Sequence, residues 1–193
     1  MFDGMTWLNE PIHWTAGRES LSVTSAPETD FWRKTHYGFT HDNGHFLHRE
    51  VAGDFTATVT LSGDFHSLYD QAGLMIRGSE RTWLKTGVEY TDDALHLSTV
   101  LTNGRSDWSV TPLPRTPAEV TLQVTCHGST VRTQYLQPAG MIGQWQMLRL
   151  GHLPLKDTCQ VGIMTCSPTR GGLHTHFRDL SIKTSHAIDL HPH

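Results

Sequence analysis

The feature that most restricts this chain is a hydrophobic period of two that recurs from end to end, while helical periodicity is almost absent. In DFTATVTLS, Phe55, Ala57, Val59 and Leu61 fall on one side of an extended backbone, and Thr56, Thr58, Thr60 and Ser62 fall on the other. Successive side chains of a strand point to opposite faces, so this run predicts a half-buried strand with a hydroxyl-lined outer face. The same reading puts Leu95, Leu97, Thr99 and Leu101 inward in LHLSTVLT, and Val120, Leu122, Val124 and Cys126 inward in EVTLQVTC. SLSVT, GHFLHREV, TVRTQYL, QMLRL, CQVGIMTC and HFRDLSIK are further strands. Turn-forming residues separate them: Asp42 to Gly44, Gly63, Asp92, Asn103 and His127 to Ser129. Roughly a dozen short strands punctuated in this way predict an all-β, antiparallel sandwich or barrel.

The 193 residues are 37% hydrophobic and 18% charged, enough apolar material for one packed domain, expected over residues 1–185 with a polar tail at 186–193. A proline-bearing connection, TPLPRTP at 111–117, interrupts the strand pattern. Basic and acidic residues number 15 and 19 and are dispersed, so neither nucleic acid nor an anionic membrane has a footprint. The N-terminal stretch lacks the basic and apolar regions of a secretory signal, which leads to the expectation of a cytoplasmic protein. Cys126, Cys159 and Cys166 are an odd count and read as free thiols, with a Cys159–Cys166 bridge as the alternative.

The most informative stretch is YDQAGLMIRGSERTWLKTGVEY, residues 69–90. With a turn at Gly78 to Arg81 it forms a hairpin: Ala72, Leu74, Ile76, Leu84, Thr86 and Val88 face the core. The other face gathers Gln71, Arg77, Trp83, Lys85 and Glu89, with Gly73 and Gly87 leaving room above the sheet. An aromatic ring beside charged hydrogen-bonding groups suits a sugar ring, with Trp83 stacking, Lys85 and Arg77 donating, and Glu89 and Gln71 accepting. The alternative is a cross-strand salt-bridge cluster on a solvated face, with Trp83 packed under a loop.

Several separated motifs occur together and in order: Thr29-Asp30-Phe31-Trp32, Asp54-Phe55, the run from Tyr69 to Arg77, Trp83 to Glu89, and Ser106-Asp107-Trp108-Ser109. On these the chain resembles the bacterial and fungal family designated domain of unknown function 1349. The resemblance implies a concanavalin A-like jelly-roll sandwich, similar to lectins and glucanases and to the C-terminal module of some β-xylosidases. That family also includes a fungal protein described as a regulator of an enolase. The implied ligand face is a concave sheet surface carrying Gln71, Arg77, Trp83, Lys85, Glu89 and Asp107, with Asp30, Trp32, Trp108 and Ser109 near the same groove; core or rim packing is the alternative for Trp32 and Trp108.

Three functions follow as expectations: a domain binding a carbohydrate or similar small polar ligand, a non-catalytic protein-interaction or metabolic-regulatory domain, and a glycoside hydrolase. A hydrolase needs two carboxyl groups, about 5 Å apart for retention and wider for inversion. No Glu-x-Asp-x-x-Glu triplet is present, which leaves Glu89 paired with Asp70 or Asp107 as the best candidates. Lys85 and Arg77 beside Glu89 are expected to hold its pKa low. Asp92 and Asp93 are explained by turn chemistry. Among 14 histidines, His36, His41, His45 and His48, or His174 and His176, show no spacing that converges on a metal, and no nucleophile elbow or phosphate-binding loop occurs. No metal and no cofactor are expected. A homodimer through an open edge strand, or a protein partner, stays open.

Overall fold

The computed structural model describes residues 2–113, 117–137 and 144–185. Among them there is no helix. A front sheet runs in the order β1 (Thr6–Leu8), β6 (His45–Ala52), β15 (Thr158–Cys166), β8 (Gln71–Ser79), β9 (Thr82–Thr91), β10 (Ala94–Asn103) and β11 (Ser106–Pro112). A back sheet runs β14 (Trp145–His152), β13 (Thr130–Leu136), β12 (Val120–His127), β7 (Phe55–Gly63), β16 (His174–Thr184), β3 (Ser20–Thr24) and β2 (His13–Ala16). Two short strands, β4 (Phe31–Arg33) and β5 (Thr40–Asp42), pair only with each other. Every pairing is antiparallel, and many neighbours, such as β15 with β8 or β7 with β16, are distant in sequence. This is the all-β, concanavalin A-like two-sheet sandwich that the alternation and the family resemblance imply.

The core lies where the alternation puts it. Phe55, Ala57, Val59 and Leu61 of β7 and Leu122 and Val124 of β12 meet Leu74, Ile76, Leu84 and Val88 of the front sheet, all at most 2% exposed. Burying each of the larger of these side chains stabilises the fold by about 1.5–3 kcal/mol, before the entropy of ordering the chain is set against it. Thr86 and Thr99 also point inward. Thr86 Oγ1 donates to the Ser98 carbonyl at 3.0 Å and lies 2.9 Å from Thr99 Oγ1, so their hydroxyls are satisfied inside the sandwich.

The β8–β9 hairpin has the expected register, with Ala72 opposite Val88, Leu74 opposite Thr86 and Ile76 opposite Leu84. A bulge between Arg77 and Ser79 shortens the turn to Glu80 and Arg81. Asp92 and Asp93, at φ of 51° and 55°, form the two-residue β9–β10 turn, a left-handed conformation that aspartate tolerates better than most residues. Of the 111–117 connection, Thr111 and Pro112 complete β11, and residues 114–116 lie outside the described residues, as does the 186–193 tail. The three cysteines are free and buried; Cys159 and Cys166 lie near opposite ends of β15 and are not bridged.

Asp70, fully buried ahead of β8, holds two loops together. Its carboxylate accepts from the backbone of His66 and Ser67, from Ser167 Oγ at 2.8 Å and from Arg170 Nη2 at 2.7 Å. Burial works against its charge, but the hydrogen bonds from Arg170, Ser167, Ser67 and His66 outweigh it and hold the carboxyl below its ordinary pKa. With its oxygens so occupied, Asp70 is no free partner for Glu89.

Candidate ligand-binding site

The outer face of the front sheet is not a bare solvated surface. The β4–β5 ribbon lies across it and encloses a second apolar cluster of Phe31, Trp32, Phe46, Met75, Trp83, Val100, Met164 and Cys166. Beside the ribbon the face opens into a pocket of about 720 Å³. Lys85 and Glu89 of β9 and Gln71 of β8 form its base, each at most 4% exposed. Alternation explains the grouping: Gln71 lies opposite Glu89 across the β8–β9 pair, and Lys85 lies two pleats along the same face. Trp32, Tyr37, Phe39 and His41 come from the ribbon and its turn, Tyr69 from the loop before β8, and Trp108 from β11.

Asp30 is the hub of this base. One carboxylate oxygen accepts from Lys85 Nζ at 2.9 Å, from the Phe31 amide at 2.7 Å and from Gln71 Nε2 at 3.4 Å. Its backbone is gripped as well: the Asp30 amide donates to Asn43 Oδ1, and the amides of Asn43 and Gly44 donate to the Asp30 carbonyl. Burial favours a neutral Lys85, yet Asp30 and the further negative charge of Glu89 prevail and raise its pKa. Gln71 Nε2 also donates to the Tyr69 carbonyl at 3.1 Å.

Glu89 behaves differently from the expectation that basic neighbours would hold its pKa low. Burial raises it, and the attraction of Lys85 and the hydrogen bonds with Ser98 and Trp108 do not compensate, while Asp30 adds repulsion. The cause lies in pairing: Lys85 gives its short contact to Asp30, and Arg77 is engaged elsewhere. Trp108 Nε1 lies 3.2 Å from Glu89 Oε2 and 3.1 Å from Ser98 Oγ, which fixes the indole over this end of the sheet.

The rings around the opening are mutually braced. Tyr37 stacks on Phe39 with centroids 5.1 Å apart and meets Trp32 edge-on at 5.9 Å. Tyr69 meets Trp108 edge-on at 6.2 Å. The Tyr37 and Tyr69 hydroxyls are 2.8 Å apart, joining the ribbon turn to the loop before β8, and this contact with burial raises the Tyr69 phenol pKa to about 12.

Of the six residues expected on the ligand face, the pocket therefore brings together Gln71, Lys85 and Glu89; Arg77, Trp83 and Asp107 lie outside its lining. Trp83 is fully buried against Phe31, 6.2 Å away, so it has no open face on which a ligand can stack. Arg77 pairs with Asp42 at 2.7 Å and ties down the far strand of the ribbon. Asp107 points away from Trp108 and pairs with Arg149 of β14 at 2.6 Å, joining the edges of the two sheets. Nor do Gly73 and Gly87 provide a floor. They face each other in register, and a Cβ on either would stand 2.0 Å from a carbonyl oxygen of the neighbouring strand.

Sequence reading missed Tyr37, Phe39 and Tyr69, and it missed the ribbon that presents the first two. Strands of three residues carry no usable period. The available signal was aromatic density, with Phe31, Trp32, Tyr37 and Phe39 falling within nine residues directly after Asp30.

Comparison with known proteins places this geometry among relatives. The family described as protein of unknown function (DUF1349) matches residues 7–185. Regulation of enolase protein 1 of Saccharomyces cerevisiae is 42% identical over 188 residues, spanning 96% of this chain and 92% of that protein. A crystal structure described as a functionally unknown protein from Saccharomyces cerevisiae superimposes with a TM-score of 0.90 at 39% identity, covering 96% of this chain and 99% of that one. The carbohydrate binding module CBM66 from Bacillus subtilis superimposes at 0.58 with 13% identity, over 94% of this chain and 98% of the module. The GH43 protein BlXynB from Bacillus licheniformis gives 0.64 at 17% identity, over 95% of this chain but 38% of its own. At such low identity these last two likenesses concern the fold alone.

Proposed function

This chain belongs to the DUF1349 family, and from that premise we propose that it is a binding domain whose pocket takes a carbohydrate or a similar polar small molecule. One observation carries the reading: the pocket unites buried hydrogen-bonding groups, Gln71, Lys85 and Glu89, with the partly exposed rings of Tyr37, Phe39 and Trp108. Sugar rings present an apolar face to an aromatic side chain and hydroxyls to polar groups at their edge. A fold neighbour described as a carbohydrate binding module lends this reading support by analogy. The three free, buried cysteines support, on the same terms, a cytoplasmic location.

The name of the yeast relative, regulation of enolase protein 1, favours a second reading, a metabolic-regulatory domain. The two are compatible when occupancy of the pocket is what a regulatory partner senses.

The test is a thermal-shift screen of the purified protein against saccharides, sugar phosphates and glycolytic acids, repeated with Trp108→Ala and Glu89→Gln. A ligand that binds only the folded state raises the melting temperature by mass action. A saccharide shift reduced in both variants supports the proposal. No shift with any compound, on a folded protein, overturns it and directs the search to protein partners.

A further inference from the structure

The pocket has more to offer a donor than an acceptor. Most of its nitrogen donors are already engaged: Gln71 Nε2 with Asp30 and the Tyr69 carbonyl, Trp108 Nε1 with Glu89 and Ser98, Trp32 Nε1 with the Thr35 carbonyl, and Asn43 Nδ2 with the Glu28 carbonyl. Lys85 is withdrawn to 3% exposure and neutralised by Asp30. By contrast, the second Asp30 carboxylate oxygen accepts no hydrogen bond among the described residues, and its side chain keeps 16% exposure.

Charge and aromaticity point the same way. Three carboxyl side chains, Glu28, Asp30 and Glu89, line the pocket against two basic ones, Lys85 and His41. Five rings, Trp32, Tyr37, Phe39, Tyr69 and Trp108, surround these groups. The π-face of each ring is the negative end of its quadrupole, so a desolvated cation is attracted and an anion is repelled. A phosphate or carboxylate on the ligand would meet a buried, already paired lysine and an excess of carboxyls.

We infer that the ligand carries a positive charge: a saccharide bearing a free amino group, whose ammonium reaches the open side of Asp30 within the aromatic wall while its hydroxyls meet the base of the pocket. This rests on the saccharide reading and narrows it to amino sugars. It also excludes sugar phosphates and uronic acids from the site.

The experiment is calorimetric titration, at fixed ionic strength and pH, of the whole protein with β-1,4-linked trimers of glucosamine, N-acetylglucosamine and glucose, and with a uronic-acid trimer. The glucosamine trimer is expected to bind about ten-fold tighter than the glucose trimer, the scale of a cation held by aromatic faces and a carboxylate. N-acetylation should remove that gain, and the uronic-acid trimer should not bind. Glu28→Gln, at an exposed position, and Glu89→Gln, which keeps the shape of the side chain, should each lower the preference for the amine. Equal affinity for the glucosamine and glucose trimers, or tighter binding of the uronic acid, overturns the inference and leaves the saccharide reading standing. Absence of binding by every trimer, and by the saccharides of the thermal screen, overturns both.

Discussion

The Lys85 ammonium stands 2.9 Å from one oxygen of Asp30, with only 4% and 16% of their side chains exposed. That contact ties β9 to the segment that enters the ribbon. An ion pair so withdrawn from water couples the pocket base to its wall.

Removing one partner should therefore cost far more than removing both. Asp30→Asn strands a buried ammonium and is expected to destabilise by about 3–5 kcal/mol. The double variant Asp30→Asn with Lys85→Met should cost clearly less than the two single changes summed. Urea unfolding of the four proteins closes the cycle, and additive costs would refute the coupling.

The two tryptophans of the front face should separate binding from folding. Trp108 is 37% exposed, and its replacement by alanine should cost about 1 kcal/mol of stability, the scale of its hydrogen bond, while sharply weakening ligand binding. Trp83 is 0% exposed, and Trp83→Ala should cost about 3–5 kcal/mol through the cavity it leaves. Denaturation and calorimetry on each variant make the comparison; comparable stability losses would contradict it.

Two carboxyls should push stability in opposite directions with pH. The folded-state pKa of Glu89 is raised, so the unfolded chain gives up this proton first, and stability falls as pH rises through the ordinary glutamate value of about 4.3. Glu89→Gln escapes that loss, and its advantage over the parent should grow across the same range and then level off. Asp70 is the reverse: its folded pKa is lowered, so its contribution is complete above the ordinary aspartate value of about 3.9 and is lost as pH falls through the folded value. Asp70→Asn should forfeit that contribution at neutral pH and narrow its deficit in acid. Chemical denaturation repeated from pH 3 to 8 reads both slopes.

Gly87→Ala should destabilise the sheet although it adds a single methyl group. The new Cβ would stand 2.0 Å from the Ala72 carbonyl oxygen, so β8 and β9 must move apart, at a cost of about 1–3 kcal/mol. A Tm unchanged from the parent would contradict the close approach of these strands.

All three thiols should be silent toward a thiol reagent in the native protein. Burial pushes Cys126 up to about 11 and Cys159 up to about 12, and Cys166 is raised as well, so the reactive thiolate is scarce and shielded. Reaction of three equivalents only after unfolding is the expected stoichiometry.

The sandwich was legible because its signal is redundant. In β7 the alternation of Phe55, Ala57, Val59 and Leu61 with threonines and serine admits one reading, and the turn residues between strands repeat it. The pocket was legible only in part. Alternation correctly put Gln71, Arg77, Trp83, Lys85 and Glu89 on one face, yet periodicity reports the face and not what lies over it. Covering by Phe31 turned Trp83 into core, and Asp42 turned Arg77 into a strut; both depend on where a pair of three-residue strands comes to rest. The high pKa of Glu89 was hidden for a related reason, since spacing along β9 does not tell which carboxylate Lys85 will choose.

The ribbon also divides the labour of diversification. Tyr37, Phe39 and His41 come from a short contiguous stretch that contributes nothing to the main core, whereas Lys85, Glu89 and Gln71 sit on central strands that the sandwich needs for its own pairing. Descendants of such a fold are free to reshape the walls, and with them the size and outline of the molecule admitted, while inheriting the chemistry of the floor unchanged.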